Sequence, residues 1–219
     1  YAHAAAGVVA SLTGGLVTAS NDAAGDVYLN IQNLDGSALA DILIGDGAAN
    51  TLTGNGGNDV LEGMGGADVI DGAAGVDTAS YAHASAAVVA SLSGALSGIT
   101  PSGDALGDSY VDVENLTGSD FNDALVGDGS ANTLSGGAGN DVLEGLAGAD
   151  ALDGGAGTNT ASYAHAGSGV VASLSVGLTG VVPSGDALGD TYTAIQNLTG
   201  SALDDQLIGD SGANTLNGG

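Results

Sequence analysis

Aspartate or asparagine recurs every nine residues in three stretches of this sequence. The residues are Asp41, Asn50, Asp59, Asp68 and Asp77, then Asp123, Asn132, Asp141, Asp150 and Asn159, then Asp205 and Asn214. Each stands sixth in a nonapeptide that opens on glycine. GSALADILI, GDGAANTLT, GNGGNDVLE, GMGGADVID and GAAGVDTAS run from Gly36 to Ser80, and equivalents run from Gly118 to Ser162 and onward from Gly200. Ionised carboxylates held close together repel, so a fold that stacks them needs a cation between them. The chain has none to offer: its 219 residues include 26 Asp and Glu but no Lys or Arg, a formal charge of −26. An acidic, all-oxygen, flexible cage suits Ca²⁺ better than zinc or a soft metal.

The same composition excludes other chemistry. Without Lys or Arg there is no phosphate clamp, Walker lysine, Schiff-base lysine or arginine finger. Nucleic acid and anionic membrane are repelled by such a surface. Without cysteine there are no disulfides, thiolate metal sites or cysteine nucleophiles. No stretch approaches the roughly 20 apolar residues of a membrane helix. The chain opens on Tyr1 with no basic segment, so no signal peptide is expected and the chain reads as a piece of something longer.

The elements that position the acids follow from the other columns. Position 8 is Leu or Ile except at Ala79 and Ala161, where each block ends. Positions 7 to 9 favour a short strand, with position 8 turned one way and its neighbours the other. Glycine permits the turn between strands. Two nonapeptides make one coil, and coils stack at about 4.8 Å. Position 8 then builds a thin inward ladder, while Glu62, Asp71, Glu144 and Asp153 at position 9 face outward. Asp41, Asp59 and Asp77 fall in one column of turns, Asn50 and Asp68 in the other.

The nonapeptides resemble the RTX family of secreted bacterial proteins, whose repeat is GGxGxDxUx with U a large aliphatic. Residues 54–62 match at positions 1, 4, 6 and 8, and residues 136–144 match all five fixed positions. The resemblance implies an all-β, right-handed parallel β-roll with Ca²⁺ between stacked turns. It implies ligands at Asp41, Asn50, Asp59, Asp68, Asp77, Asp123, Asn132, Asp141, Asp150, Asn159 and Asp205. Backbone carbonyls near Gly54, Gly56, Ala73, Gly75, Gly136, Ala138, Gly155 and Gly157 would complete them. Ions are expected between Asp41 and Asp59, Asp59 and Asp77, Asp123 and Asp141, and Asp141 and Asn159. The first two nonapeptides of each block depart from the pattern, with Leu39, Ala48, Phe121, Ser130 and Leu203 at position 4. The second carries Asn at position 6 and Asp46, Asp128 or Asp210 at position 2. The pairs Asn50–Asp68 and Asn132–Asp150 are therefore expected to bind weakly or not at all, the Asn bonding backbone instead.

A longer period encloses the short one. Tyr1-Ala2-His3-Ala4 recurs at Tyr81 and Tyr163, and Asn115-Leu116-Thr117 recurs 82 residues on at Asn197. The expected organisation is one solenoid: partial spacer coils over 1–35, nonapeptides over 36–80, spacer over 81–117, nonapeptides over 118–162, spacer over 163–199 and a third block from 200. Val88, Ala90 and Leu92 alternate as in a strand, and 110–116 reads as a second strand. The spacers are expected to continue the roll as larger, irregular coils, the alternative being a separate small β-subdomain. At 18 residues per coil the chain would make about twelve coils, a rod of roughly 60 Å. Asp104 with Asp108, Asp22 with Asp26 and Asp186 with Asp190 are either further Ca²⁺ ligands or solvated acidic turns. His3, His83 and His165 read as exposed or turn residues rather than ligands. Gly209-Asp210-Ser211-Gly212 imitates a protease nucleophile loop only because it sits in a repeat register.

No catalytic residue emerges. The expected function is a calcium-binding structural module of a larger secreted or cell-surface bacterial protein, such as an adhesin, surface layer or fibre. The alternative is the carboxy-terminal secretion and folding module of an enzyme whose chemistry lies elsewhere. The expected partners are calcium ions and further copies of the repeat, without nucleic acid or membrane insertion.

Overall fold

Positions 7 to 9 form a three-residue strand in every nonapeptide of both complete blocks, Val60–Glu62 and Val142–Glu144 among them. The computed structural model describes every residue except 95, 176 and 178. Among the described residues there is no α-helix, only three single 3₁₀ turns at Asn21–Ala23, Gly103–Ala105 and Gly185–Ala187.

Within a block, strands two nonapeptides apart pair in parallel, eighteen residues from one to the next. Leu43 lies opposite Leu61, Leu52 opposite Ile70, Leu125 opposite Leu143 and Leu134 opposite Leu152. These position-8 side chains are at most 1 % exposed and form one cluster through the roll. The core is thin because each coil contributes two aliphatics, but it is continuous, which is what a parallel β-roll needs.

One face is a single eight-stranded sheet. It runs through Val9–Ser11, Ile42–Ile44, Val60–Glu62, Thr78–Ser80, Asn115–Thr117, Thr133–Ser135, Ala151–Asp153 and Thr191–Thr193. The first, third and fifth strands of the first block lie here, but so do the second and fourth of the next. Five nonapeptides are an odd number, so the faces exchange roles at each junction. The opposite face is interrupted there: Ser109–Val111 ends a four-stranded sheet and Val89–Ser91 begins a six-stranded one.

The spacers are larger coils of the same roll. Ser109–Val111 stacks on Val69–Asp71, and Asn115–Thr117 stacks on Thr78–Ser80. The single strand expected over 110–116 is broken into these two, because residues 112–114 turn the chain from one face to the other. Asp112 takes a left-handed conformation (φ 47°) to do so. The expected count of about twelve coils is also too high. The described residues form twenty short strands, which at two per coil make about ten coils, and the longest unbroken ladder has eight strands, about 34 Å from first to last at the usual strand spacing. The rest of each spacer leaves the roll as loop.

Candidate metal centre

Position 6 is buried throughout both blocks, from Asn50 and Asn132 at 3 % exposure to Asp77 and Asn159 at 0 %. Burial follows from the stacking. Within a block, the backbone N–H of a position-6 residue donates to the side chain of the position-6 residue one coil on: Asp41 to Asp59 Oδ1, Asp59 to Asp77 Oδ1 and Asp123 to Asp141 Oδ1, all at 2.8 Å. The second oxygen of each carboxylate turns back toward the glycine that opens its own nonapeptide. A Cβ at Gly54 would meet Asp59 Oδ2 closer than 3.0 Å and Gly72 O at 2.9 Å; at Gly136 it would meet Asp141 Oδ2 and Gly154 O in the same way. Position 1 is thus glycine because two oxygens converge on the space a side chain would fill. The left-handed turn lies elsewhere, at positions 2 and 4: φ is 73° at Asn55 and 113° at Gly57.

Three kinds of turn result. In the first nonapeptide a serine at position 2 satisfies the acid: Ser37 donates its N–H and hydroxyl to Asp41, Ser119 to Asp123 and Ser201 to Asp205. In the second, the asparagine amide takes the place of a cation. Asn50 Nδ2 donates to Gln32 O at 2.7 Å and to Asp46 Oδ1 at 3.3 Å, and Asn132 and Asn214 repeat this with Glu114, Asp128, Gln196 and Asp210. Ser211 of the protease-like tetrapeptide is part of such a turn. The third to fifth nonapeptides lack both devices. Here Asp59, Asp68, Asp77, Asp141 and Asp150 each bury an Oδ2 with no hydrogen-bond partner. Asn159 closes its column with a neutral amide that donates to Ala194 O at 3.1 Å.

An unpartnered buried carboxylate oxygen is costly, and the electrostatics reflect it. Burial pushes Asp59, Asp68 and Asp150 up to about 6 from an ordinary 3.8, against the N–H each accepts. Neighbouring carboxylates add to it: Asp77 and Asp41 at Asp59, and Asp108, Asp46 and Asp104 at Asp68. Burial also raises Asp77 and Asp141. Among the described residues no three His, Cys, Asp or Glu side chains converge as a metal cluster. Any ion must therefore draw on backbone oxygens. The carbonyls of Gly54, Gly56, Ala73, Gly75, Gly136, Ala138, Gly155 and Gly157 accept no hydrogen bond among the described residues, whereas those of Asn55 and Gly137 are taken by the turn one coil on and those of Ala74 and Ala156 by the turn one coil back. Orphaned carboxylate oxygens beside free carbonyls are a donor set that fits Ca²⁺.

The family profile for the RTX calcium-binding nonapeptide repeat, four copies long, matches residues 35–68, 44–79, 112–143, 126–161 and 197–219, more than half of the sequence. The chain belongs to the RTX calcium-binding repeat family. It is a calcium-binding repeat module, and Ca²⁺ is the ion its family binds. No curated protein matches the chain.

One expectation for the roll is overturned. Glu62 and Glu144 at position 9 do not face solvent; they are 3 % and 4 % exposed. The Tyr-Ala-His-Ala segment that opens each spacer folds back over them. His83 donates its backbone N–H to Glu62 Oε1 and places Nδ1 against Oε2, both at 2.8 Å; His165 does the same to Glu144. The histidines lie in turns, as expected, but they also clasp the spacer to the block. His165 reaches further, with Nε2 at 3.0 Å from Ser97 O of the preceding spacer.

The acids of the spacers also acquire places. Asp108 Oδ1 accepts the Asp68 N–H at 2.9 Å and Asp190 Oδ1 the Asp150 N–H at 3.0 Å, the bond a position-6 residue makes. Glu114 and Gln196 do the same above Asp77 and Asn159. Residues 103–111, GDALGDSYV, are thus a disguised nonapeptide, with glycine at position 1, aspartate at 6 and Tyr110 at 8 opposite Ile70. The five-residue step from Gly103 to Asp108 was the available signal.

Proposed function

We propose that this RTX module is a structural element of a larger extracellular or cell-surface bacterial protein, one that stiffens when it takes up Ca²⁺. Asp59, Asp68, Asp77, Asp141 and Asp150 would be the carboxylate ligands, with the free carbonyls around positions 1 to 4 as the remainder. Bound Ca²⁺ would neutralise stacked acids that nothing else in the chain offsets. Asp41, Asp123 and Asp205 would serve as serine-locked ends of their columns rather than as full ligands. Asn50 and Asn132 would close turns that need no ion.

The observation that carries this reading is the set of five buried Oδ2 atoms without partners along a continuous parallel ladder. Such a ladder is an extensible scaffold, with each coil resting on the one before it. Metal binding supplies folding free energy in a site of this kind. Circular dichroism should show coil in excess EGTA and β-structure as Ca²⁺ is added, and scattering in Ca²⁺ should show a rod that lengthens when an 82-residue unit is appended. A β spectrum unchanged by EGTA would remove the ion from the folding argument. A radius of gyration staying near that of a compact globule, about 17 Å for this length, would remove the scaffold.

A further inference from the structure

The even column of turns ends on Asp68 in the first block and on Asp150 in the second. Asp68 is 1 % exposed, its Oδ1 accepts the Asn50 N–H at 2.8 Å, and its Oδ2 has no partner. The turn before it offers little to an ion, because the Asn50 amide already fills that turn. The turn after it is the spacer segment 103–108. It lies directly on the Asp68 turn: the Asp68 N–H reaches Asp108 Oδ1, and a Cβ on Gly107 would strike the Ala67 side chain. Asp104 sits in the 3₁₀ turn of that segment and makes no hydrogen bond among the described residues. The carboxylates whose charge bears on Asp68 are Asp108 first, then Asp46 and Asp104. The arrangement repeats in the second unit, where Asp150 Oδ2 is orphaned at 1 % exposure, the Asp150 N–H reaches Asp190 Oδ1, and the carboxylates whose charge bears on Asp150 are Asp190 first, then Asp128 and Asp186.

We infer that each unit junction carries a Ca²⁺ site of its own, shared between the fourth nonapeptide turn and the acidic spacer turn, with Asp68 and Asp104 as its carboxylate ligands in one unit and Asp150 and Asp186 in the next. This rests on the calcium reading above but extends it beyond the nonapeptides, to the segment that joins one unit to the next. An ion here braces the spacer rung Ser109–Val111 on Val69–Asp71, the last strand pair of the four-stranded sheet before the face is interrupted. Asp108 and Asp190 frame the site: each already spends one oxygen on the N–H below and the other on a tyrosine hydroxyl, Tyr81 at 2.9 Å and Tyr163 at 2.8 Å. That tyrosine contacts a second one, Tyr110 or Tyr192.

This placement provides a selective probe. The chain has six tyrosines and no tryptophan, and all six lie in junction pairs: Tyr1 with Tyr28, Tyr81 with Tyr110 and Tyr163 with Tyr192. Terbium, substituting for calcium, should therefore show tyrosine-sensitised luminescence mainly from junction sites. The test compares the parent chain with the double variant Asp104→Ala/Asp186→Ala, both folded in Ca²⁺ by circular dichroism. Sensitised emission should fall several-fold in the variant, and calcium stoichiometry by equilibrium dialysis should fall by two ions per chain. The pair Asp104→Asn/Asp186→Asn, which keeps the side-chain volume, should lose the same two ions. Unchanged emission and stoichiometry in both variants would overturn the junction site while leaving the block sites standing. A parent chain that binds no calcium at all would instead overturn the calcium reading itself.

Discussion

Alanine at Gly136 is the most direct test of why position 1 is glycine. Gly136 is not in the left-handed region, so alanine there carries no backbone penalty and its effect is steric. The added methyl would lie closer than 3.0 Å to Asp141 Oδ2 and at 2.9 Å from Gly154 O, whereas ordinary contact begins at 3.4 Å. The carbonyl must retreat by about 0.5 Å and the carboxylate by more, beyond the roughly 0.2 Å tolerance of a metal site. Overpacking of this order costs about 1–3 kcal/mol, or roughly a 5- to 150-fold weaker calcium response if it falls on the ion-loaded state. Gly129→Ala is the control. Nothing lies within 4 Å of a Cβ there and its φ is not left-handed, so it should be neutral or stabilising by about 0.4–1 kcal/mol. The assay is a calcium titration followed by circular dichroism at fixed ionic strength. A midpoint for Gly136→Ala no higher than that for Gly129→Ala would refute the idea that two calcium-facing oxygens converge on position 1.

Two further outcomes follow from burial. Leu143 is fully buried while Val142 beside it is 42 % exposed; Leu143→Ala should cost about 2–5 kcal/mol in calcium, and Val142→Ala no more than about 1 kcal/mol. Equal losses in denaturant titrations would invert the inside–outside assignment. The metal-free chain should respond to pH with a definite sign. Asp59, Asp68 and Asp150 are raised to about 6 against 3.8, so the folded state holds protons that the unfolded state releases between those values. Their contribution to stability is then fully present below about 3.8 and lost as pH rises through about 6. In EGTA, acidification from pH 7.5 to 4.5 should therefore promote β-structure, whereas in limiting calcium it should displace the ion. A metal-free chain equally unfolded at both pH values would show that these acids do not oppose folding.

The nonapeptide register was fully legible in the sequence, because position 8 and position 6 recur without slippage and one register satisfies both. Leu61 in the core and Asp59 in the turn are fixed by that period alone. What the period could not show was which acids are satisfied without an ion. That depends on position 2: the recurrence of Asp46, Asp128 and Asp210 there marked the turns whose Asn bonds backbone, as Asn50 does to Gln32 O, but nothing in the period marked Ser37 as the donor that locks Asp41. Glu62 escaped for a different reason. Its outward direction was read correctly from strand alternation, but a loop beginning nineteen residues later covers it, and local alternation carries no information about such returns. The spacer rung at 103–111 escaped because Gly107 and Tyr110 stand where the repeat has varied residues and an aliphatic, although the glycine-to-aspartate step was intact. These cases share a physical cause. Stacking forces every coil to place some oxygen acceptor beneath the next N–H at position 6, and Asp, Asn, Glu or Gln can each supply it. The backbone therefore tolerates a change of side chain wherever the acceptor survives. Charge does not share that tolerance: Asn159 and Gln196 close the second block neutrally where Asp77 and Glu114 close the first with two acids. The two blocks are alike in ladder and unlike in charge, so the first block's terminal turn should depend on calcium more strongly than the second's.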